Sequence, residues 1–342
     1  MRPVVRVTRP LFRYISAAGQ RVGTSRHRRK KTDMGFPHVE INTGITRSEQ
    51  LTDWVTTNLD RLKGDLATEG AILFRGFPVT SPAQFDTFTA AFGYGDFTYA
   101  ESLSNAVRIN LTPRVFTANE APPDVEIFLH HEMAQTPVYP QKLFFYCQSA
   151  AQSGGATPIC RSDHLYQALA GEDPDIAAKF AAIGLKYTTH MPAADDLASG
   201  QGRSWHSTLS VETAAQAEAR LGELGYTWVW QADGSLEATT PALPAVRQLN
   251  DGRQTFFNQV IAVHRGWKPR AGSSRPVMTF GNDEPIPDAG LEKIVTLSEK
   301  FTVPLDWQDG DIALIDNYRV MHGRYPYSGT RKRQVLVCLA KD

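Results

Sequence analysis

Cysteine is scarce in this chain. Cys147, Cys160 and Cys338 stand apart among 342 residues, with no CxxC spacing. An odd, scattered set argues against a disulfide framework and against a structural zinc site. Reduced thiols in a cytoplasmic protein are the expectation. Long apolar runs are also missing. No stretch reaches the roughly 20 residues of a transmembrane helix, so no membrane span is expected. Net charge is absent, with 36 basic against 36 acidic residues, and no nucleic-acid partner is expected. No Lys-Ser/Thr follows Gly154-Gly155, which excludes a phosphate-cradling loop there. No internal repeat is visible. What remains, with 42% hydrophobic and 21% charged residues, is the composition of an ordinary globular protein.

The balanced charge hides an asymmetry. Residues 1–33 carry ten of the 36 basic residues and one acid, Asp33, which leaves 26 basic against 35 acidic residues in the rest. This head lacks the apolar core of a secretory signal. It reads as a transit-like peptide, a nucleic-acid-binding arm, or an upstream extension before a start at Met34. The last reading is preferred, and a disordered tail is expected in each case.

From Gly35 the pattern mixes helix and strand, as expected of an α+β, mainly β chain. Leu51, Trp54, Val55, Leu59 and Leu62 share one helical face that ends before Gly70. Ala71–Arg75 reads as a buried strand. Ser81-Pro82 caps a helix that buries Phe85, Phe88 and Phe92. Residues 94–127 read as a loop, either a linker or an active-site rim. Lys142–Cys147 reads as a strand, and Gly154-Gly155 as a turn into another. Residues 163–250 look like a largely helical insertion with a hairpin around Asp233-Gly234. Thr255–Val260, Asp311–Ile315 and Arg333–Leu339 read as strands, and Asp288–Phe301 as the last helix.

The chemistry concentrates in Phe128-Leu129-His130-His131-Glu132-Met133. On an extended strand alternate side chains share a face, so His130 and Glu132 would point together, about 7 Å apart along the strand, and His131 away. His-x-Glu is common by chance, and a strand end with a salt-bridged histidine is the competing reading. A second histidine, His322, follows an apolar strand and precedes Gly323. Two histidines and one carboxylate form the facial triad of non-heme Fe(II) oxygenases, with coordination positions left open. His164, His190, His206 and His264 lack partners at ligand spacing. Asn258-Gln259 either lines the pocket or satisfies backbone groups.

Four segments carry a family resemblance: Gly70 to Val79, Thr112 to Pro158, Phe256-Phe257-Asn258-Gln259, and Asp316 to Leu339. Together they resemble the TauD/TfdA superfamily of Fe(II)/2-oxoglutarate-dependent oxygenases, nearest the branch of syringomycin-type aspartate hydroxylases. The resemblance spans nearly everything after Met34. It implies one domain over 34–342, built on a double-stranded β-helix (jelly roll) with flanking helices. It implies Fe(II) on His130, Glu132 and His322, with Glu132 where many relatives carry Asp. It implies that 2-oxoglutarate pairs with Arg333, eleven residues past His322, and with Thr157, twenty-five past Glu132. Arg324 and Arg331 are the rival clamps, and a turn-capping role is the rival for Thr157.

The expected activity is hydroxylation of an unactivated C–H with O2 as co-substrate. The expected substrate is a small molecule, an amino acid either free or tethered to a carrier protein, in specialised metabolism. Val337 stands where some sulfonate-binding relatives carry Arg, which disfavours taurine. Arg114, Arg324 and Arg331 are candidates to meet a substrate anion. Desaturation, epoxidation or cyclisation at the same metal site is the nearest alternative. A zinc hydrolase or lyase, or a non-catalytic binding protein, is more distant.

Overall fold

The computed structural model describes residues 35–98, 101–104, 106–118, 121–196, 202–268, 273 and 275–342. The basic head, with the readings attached to it, lies outside the described residues.

The strand Lys142–Ser149 shows how the layers are built. Alternation sends Phe144 and Tyr146 to one face and Leu143, Phe145 and Cys147 to the other, and all five are buried. A strand buried on both faces lies at the centre of a sheet. Here the order is His38–Ile41, Ala71–Arg75, Ile312–Asp316, Lys142–Ser149, Gln334–Lys341 and Gly95–Asp96, with Val115–Thr117 also paired to Gln334–Lys341. The pairing is antiparallel except between the first two strands.

One face of this sheet is covered by two helices. The helix Leu51–Glu69 buries Leu51, Val55, Leu62 and Leu66. It ends at Gly70, whose φ of 81° suits a residue without Cβ. The helix Pro82–Ala90 starts at Ser81, whose side chain accepts from Gln84 N, and its aromatic stripe packs under Phe74 and Tyr146. The opposite face meets a second antiparallel sheet, ordered Thr302–Leu305, Thr157–Arg161, Val320–Arg324 and Ile127–His130. The facing sheets bring Phe145 against the ring of His322, with centroids 5.1 Å apart.

Residues 163–250, read from the sequence as an insertion, contribute to one core with Leu129, Cys160 and Met321 of the second sheet, and their own sheet is not closed within those bounds. This four-stranded sheet runs Thr227–Trp230, Leu236–Thr239, Leu185–Met191 and Met278–Phe280, so the last strand comes from beyond the insertion. The expected strand over Thr255–Val260 is a correction. Only Gln254–Thr255 is extended, and Val260–Gly266 is a short helix. Phe256 and Phe257 are buried without strand pairing, because ring packing on Phe180 and on Tyr139 and Tyr318 holds them instead. The fold is mixed helix and sheet, mainly sheet. No helix among the described residues is long and apolar enough to cross a membrane. The three cysteines are buried free thiols, and burial pushes Cys147 and Cys160 up to about 12 and Cys338 to about 11.

Candidate metal centre and its pocket

The two histidines come from paired strands. His322 of Val320–Arg324 lies directly opposite His130 of Ile127–His130, with ring centroids 4.4 Å apart. The register shifts just after His322. At that point a Cβ on Gly323 would collide with the Ile127 carbonyl, so glycine is what permits the close approach.

Glu132 reaches the site by a different route from the one strand alternation suggests. The strand stops at His130, and Glu132 opens a turn in which Met133 has a φ of 58°. Asn317 holds this turn. Its Oδ1 accepts from Glu132 N at 2.8 Å, and its Nδ2 donates to the carbonyls of Glu132 at 3.0 Å and Pro140 at 2.7 Å. The donor atoms of His130, Glu132 and His322 then lie within 4.8 Å of one another, the one such group of three among the described residues. Oε2 of Glu132 sits 3.3 Å from His322 Nε2 and 3.9 Å from His130 Nε2. Oε1 accepts from Arg108 Nη2 at 2.7 Å. His131 turns away, fully buried against Phe257, with Nδ1 donating to the Asn317 carbonyl.

The donor set is poised for a cation. His130 Nδ1 donates to the Phe128 carbonyl at 2.8 Å, which leaves the lone pair of the neutral ring on Nε2, facing Glu132. Desolvation and the neighbouring His322 push His130 down to about 4. Burial alone would raise Glu132, but Arg108 and the two imidazoles hold it well below the usual carboxylate range. Two imidazoles and one carboxylate are the right donors for a divalent transition metal, and they would leave half an octahedron open.

One pocket contains all three groups together with Arg108, Phe145, Thr157, Arg324 and Arg333. Arg333 is largely buried. Its Nε donates to the Gly155 carbonyl at 2.9 Å, and no described residue accepts from its terminal nitrogens. Gly155, at φ 72°, makes room for this, since a Cβ there would come within 3.0 Å of Arg333 Nε. Desolvation, reinforced by nearby Arg324, pushes Arg333 down to about 10. Thr157 Oγ1 accepts from Trp307 Nε1 at 2.9 Å, so its own proton is free to point elsewhere.

The rivals fall elsewhere. Arg331 is half exposed and pairs with Asp309 outside the pocket. Arg324 spends its guanidinium on the carbonyls of Ala121, Pro122 and Val125. Arg114 is engaged by Asp86 and Asp96. Asn258 and Gln259 satisfy main-chain groups, including the His131 carbonyl. His264 pairs with Glu292, and His206 stacks on Trp205 in a short helix. Sequence reasoning missed Arg108, Trp307 and the clamp by Asn317. Arg108 carries no signal beyond lying in the loop that feeds His130. Asn317 was visible only as a polar residue ending an apolar strand.

A profile of the taurine catabolism dioxygenase TauD, TfdA family matches residues 41–339. A clavaminate synthase-like protein of Arabidopsis thaliana is 35% identical over 288 residues, covering 84% of this chain and 87% of that protein. The dapdiamide synthesis protein DdaC of Enterobacter agglomerans is 26% identical over 315 residues, covering 89% and 92%. Among solved structures, an asparagine oxygenase in complex with Fe(II), 3-hydroxyasparagine and succinate aligns with a TM-score of 0.53 at 13% identity. That alignment covers 86% of this chain and 84% of the other.

Proposed function

The chain belongs to the taurine catabolism dioxygenase TauD, TfdA family and is an Fe(II)- and 2-oxoglutarate-dependent dioxygenase, and we propose from that premise that it hydroxylates an unactivated C–H of an amino acid. His130, Glu132 and His322 are the proposed iron ligands, and Arg333 and Thr157 the proposed 2-oxoglutarate clamp. The proposed scaffold is a double-stranded β-helix formed by the two facing sheets, as one domain over 34–342 with a dispensable head over 1–33.

The observation that carries the reading is the company the three ligand atoms keep. A largely buried guanidinium without a carboxylate partner among the described residues, Arg333, and a hydroxyl with a free proton, Thr157, line the same pocket. A planar fork matches a carboxylate in two parallel hydrogen bonds, and Arg333 would hold one end of a dicarboxylate whose other end meets the metal held by His130, Glu132 and His322. Bound there, the iron supplies O2 activation coupled to conversion of 2-oxoglutarate into succinate and CO2. The protein contributes the rest. Asn317 fixes the turn bearing Glu132, the Phe128 carbonyl fixes the His130 tautomer, and Phe145 and Val335 give the pocket an apolar side.

An amino-acid substrate agrees with the asparagine oxygenase among the similar proteins, and a carrier-tethered amino acid is the second form of the same proposal. The deciding experiment is anaerobic addition of Fe(II) and then 2-oxoglutarate to the purified protein. A weak visible metal-to-ligand charge-transfer band is expected, and it should be lost in His322→Ala. Absence of the band in wild-type protein that binds Fe(II) would overturn the assignment of the clamp.

A further inference from the structure

Three arginines reach the pocket, and two have been accounted for by main-chain carbonyls (Arg324) and by the proposed co-substrate (Arg333). The third is Arg108. Its side chain is 7% exposed, and its guanidinium lies over the Phe116 ring, 5.5 Å from the centroid. It therefore approaches from the large sheet's side, within cation–π range of an aromatic ring.

Arg108 divides the two oxygens of Glu132 between different neighbours. Oε1 accepts from Arg108 Nη2 at 2.7 Å, while Oε2 faces the Nε2 atoms of His322 and His130 at 3.3 Å and 3.9 Å. A carboxylate binds a divalent cation through one oxygen or through both. Glutamate has one more rotatable bond than aspartate and is the less fixed of the two.

We propose that Arg108 is a positioning residue that holds Oε1 of Glu132, so that this carboxylate offers a metal Oε2 alone. The proposal rests on His130, Glu132 and His322 being the metal ligands. Its consequence is a matter of free positions. One-oxygen ligation leaves three sites of an octahedron open, enough for a chelating 2-oxo acid and O2. With both oxygens bound, chelation of the 2-oxo acid would leave no site for O2.

Metal affinity by itself does not test this, because removing Arg108 also removes a cation from beside the metal. The test uses full-length protein loaded anaerobically with Co(II), whose visible spectrum reports coordination number, and then titrated with 2-oxoglutarate. Arg108→Met is expected to keep Co(II), to shift the Co(II) spectrum, and to require about tenfold more 2-oxoglutarate, the worth of one charge-assisted hydrogen bond. Arg108→Lys, which restores one donor, is expected to move both readouts back toward wild type. Should Arg108→Met not fold, Arg108→Gln removes the charge and shortens the reach, with the same shifts expected.

Wild-type spectrum and wild-type 2-oxoglutarate affinity in the variants would overturn the proposal. So would loss of Co(II) together with a lowered melting temperature, which would make Arg108 structural. Failure of wild-type protein to bind Co(II) would instead overturn the metal reading on which the proposal rests.

Discussion

The side chain of Asn317 holds both main-chain polar groups of Glu132, accepting from its N–H and donating to its carbonyl. Asn317 is fully buried and comes from the segment between the strands Ile312–Asp316 and Val320–Arg324. The residue that shapes the carboxylate turn thus lies five positions before His322, in the connection leading to its strand.

Asn317→Ala is therefore expected to weaken two things at once. Glu132 N, Glu132 O and Pro140 O would lose a partner in a buried place, at roughly 1–3 kcal/mol for each group left unsatisfied. A loss of at least ~2 kcal/mol in urea unfolding is expected. Fe(II) affinity should fall with it, because the turn no longer fixes Glu132. An anaerobic Fe(II) titration that matches wild type would show that the clamp serves stability alone.

His130 and His131 make a sharper comparison. His130→Ala removes an imidazole whose Nε2 faces Glu132, and loss of Fe(II) binding and of succinate production is expected. His131→Ala removes a ring packed on Phe257 and bonded to the Asn317 carbonyl. It should keep Fe(II) and lose stability, by ~2–4 kcal/mol for a buried ring of this size. Iron lost from the His131 variant and kept by the His130 variant would invert the assignment.

That pairing shows what a sequence can and cannot carry. His130 and Glu132 do end on the same side, but not because a strand alternates. The strand has stopped, and a turn with Met133 at positive φ brings Glu132 round. The period of the helices at Leu51–Glu69 and Pro82–Ala90 was legible because one apolar face and one cap define each. Thr255–Val260 was not, because Phe256 and Phe257 are buried by ring packing rather than by pairing, and periodicity does not tell the two apart. Arg108 was illegible for a related reason. Its partner is 24 residues away and nothing local marks it.

Asp163 gives a prediction in which pH has a definite sign. Its carboxylate accepts two hydrogen bonds from Arg161, at 2.8 and 2.6 Å, and a third from Arg253 at 2.8 Å. Arg161 also donates to the carbonyls of Thr68 and Glu69 at the end of the first helix. Burial would raise Asp163, but Arg161 outweighs it and the group is held below its ordinary value. A depressed carboxylate stabilises the fold above its unfolded pKa of about 4 and loses that contribution as pH falls through the folded value. Asp163→Asn is expected to cost ~3 kcal/mol near neutral pH, by leaving Arg161 buried without its counter-charge. The gap from wild type should narrow at about pH 3. Urea unfolding at the two pH values checks this, and an equal gap at both would locate the loss elsewhere.

Arg333 has a natural control in its neighbour Arg331. Arg333 and Arg331 are two residues apart, yet Arg333 lines the pocket of His130, Glu132 and His322 while Arg331 is half exposed beside Asp309. Burial pushes Arg333 down to about 10, so the guanidinium is charged at neutral pH in a place that lacks a counter-anion among the described residues. A carboxylate arriving there gains a desolvated, charge-assisted pair, and losing one partner of such a pair costs ~2–5 kcal/mol. Arg333→Ala is thus expected to raise the 2-oxoglutarate requirement about 30-fold or more, with Fe(II) affinity kept. Arg333→Lys should also be impaired, since a point charge does not reproduce the planar fork. Arg331→Ala should match wild type, because an exposed ion pair is worth little. Succinate production against 2-oxoglutarate concentration separates the three. A large effect in Arg331→Ala and none in Arg333→Ala would place the co-substrate outside this pocket.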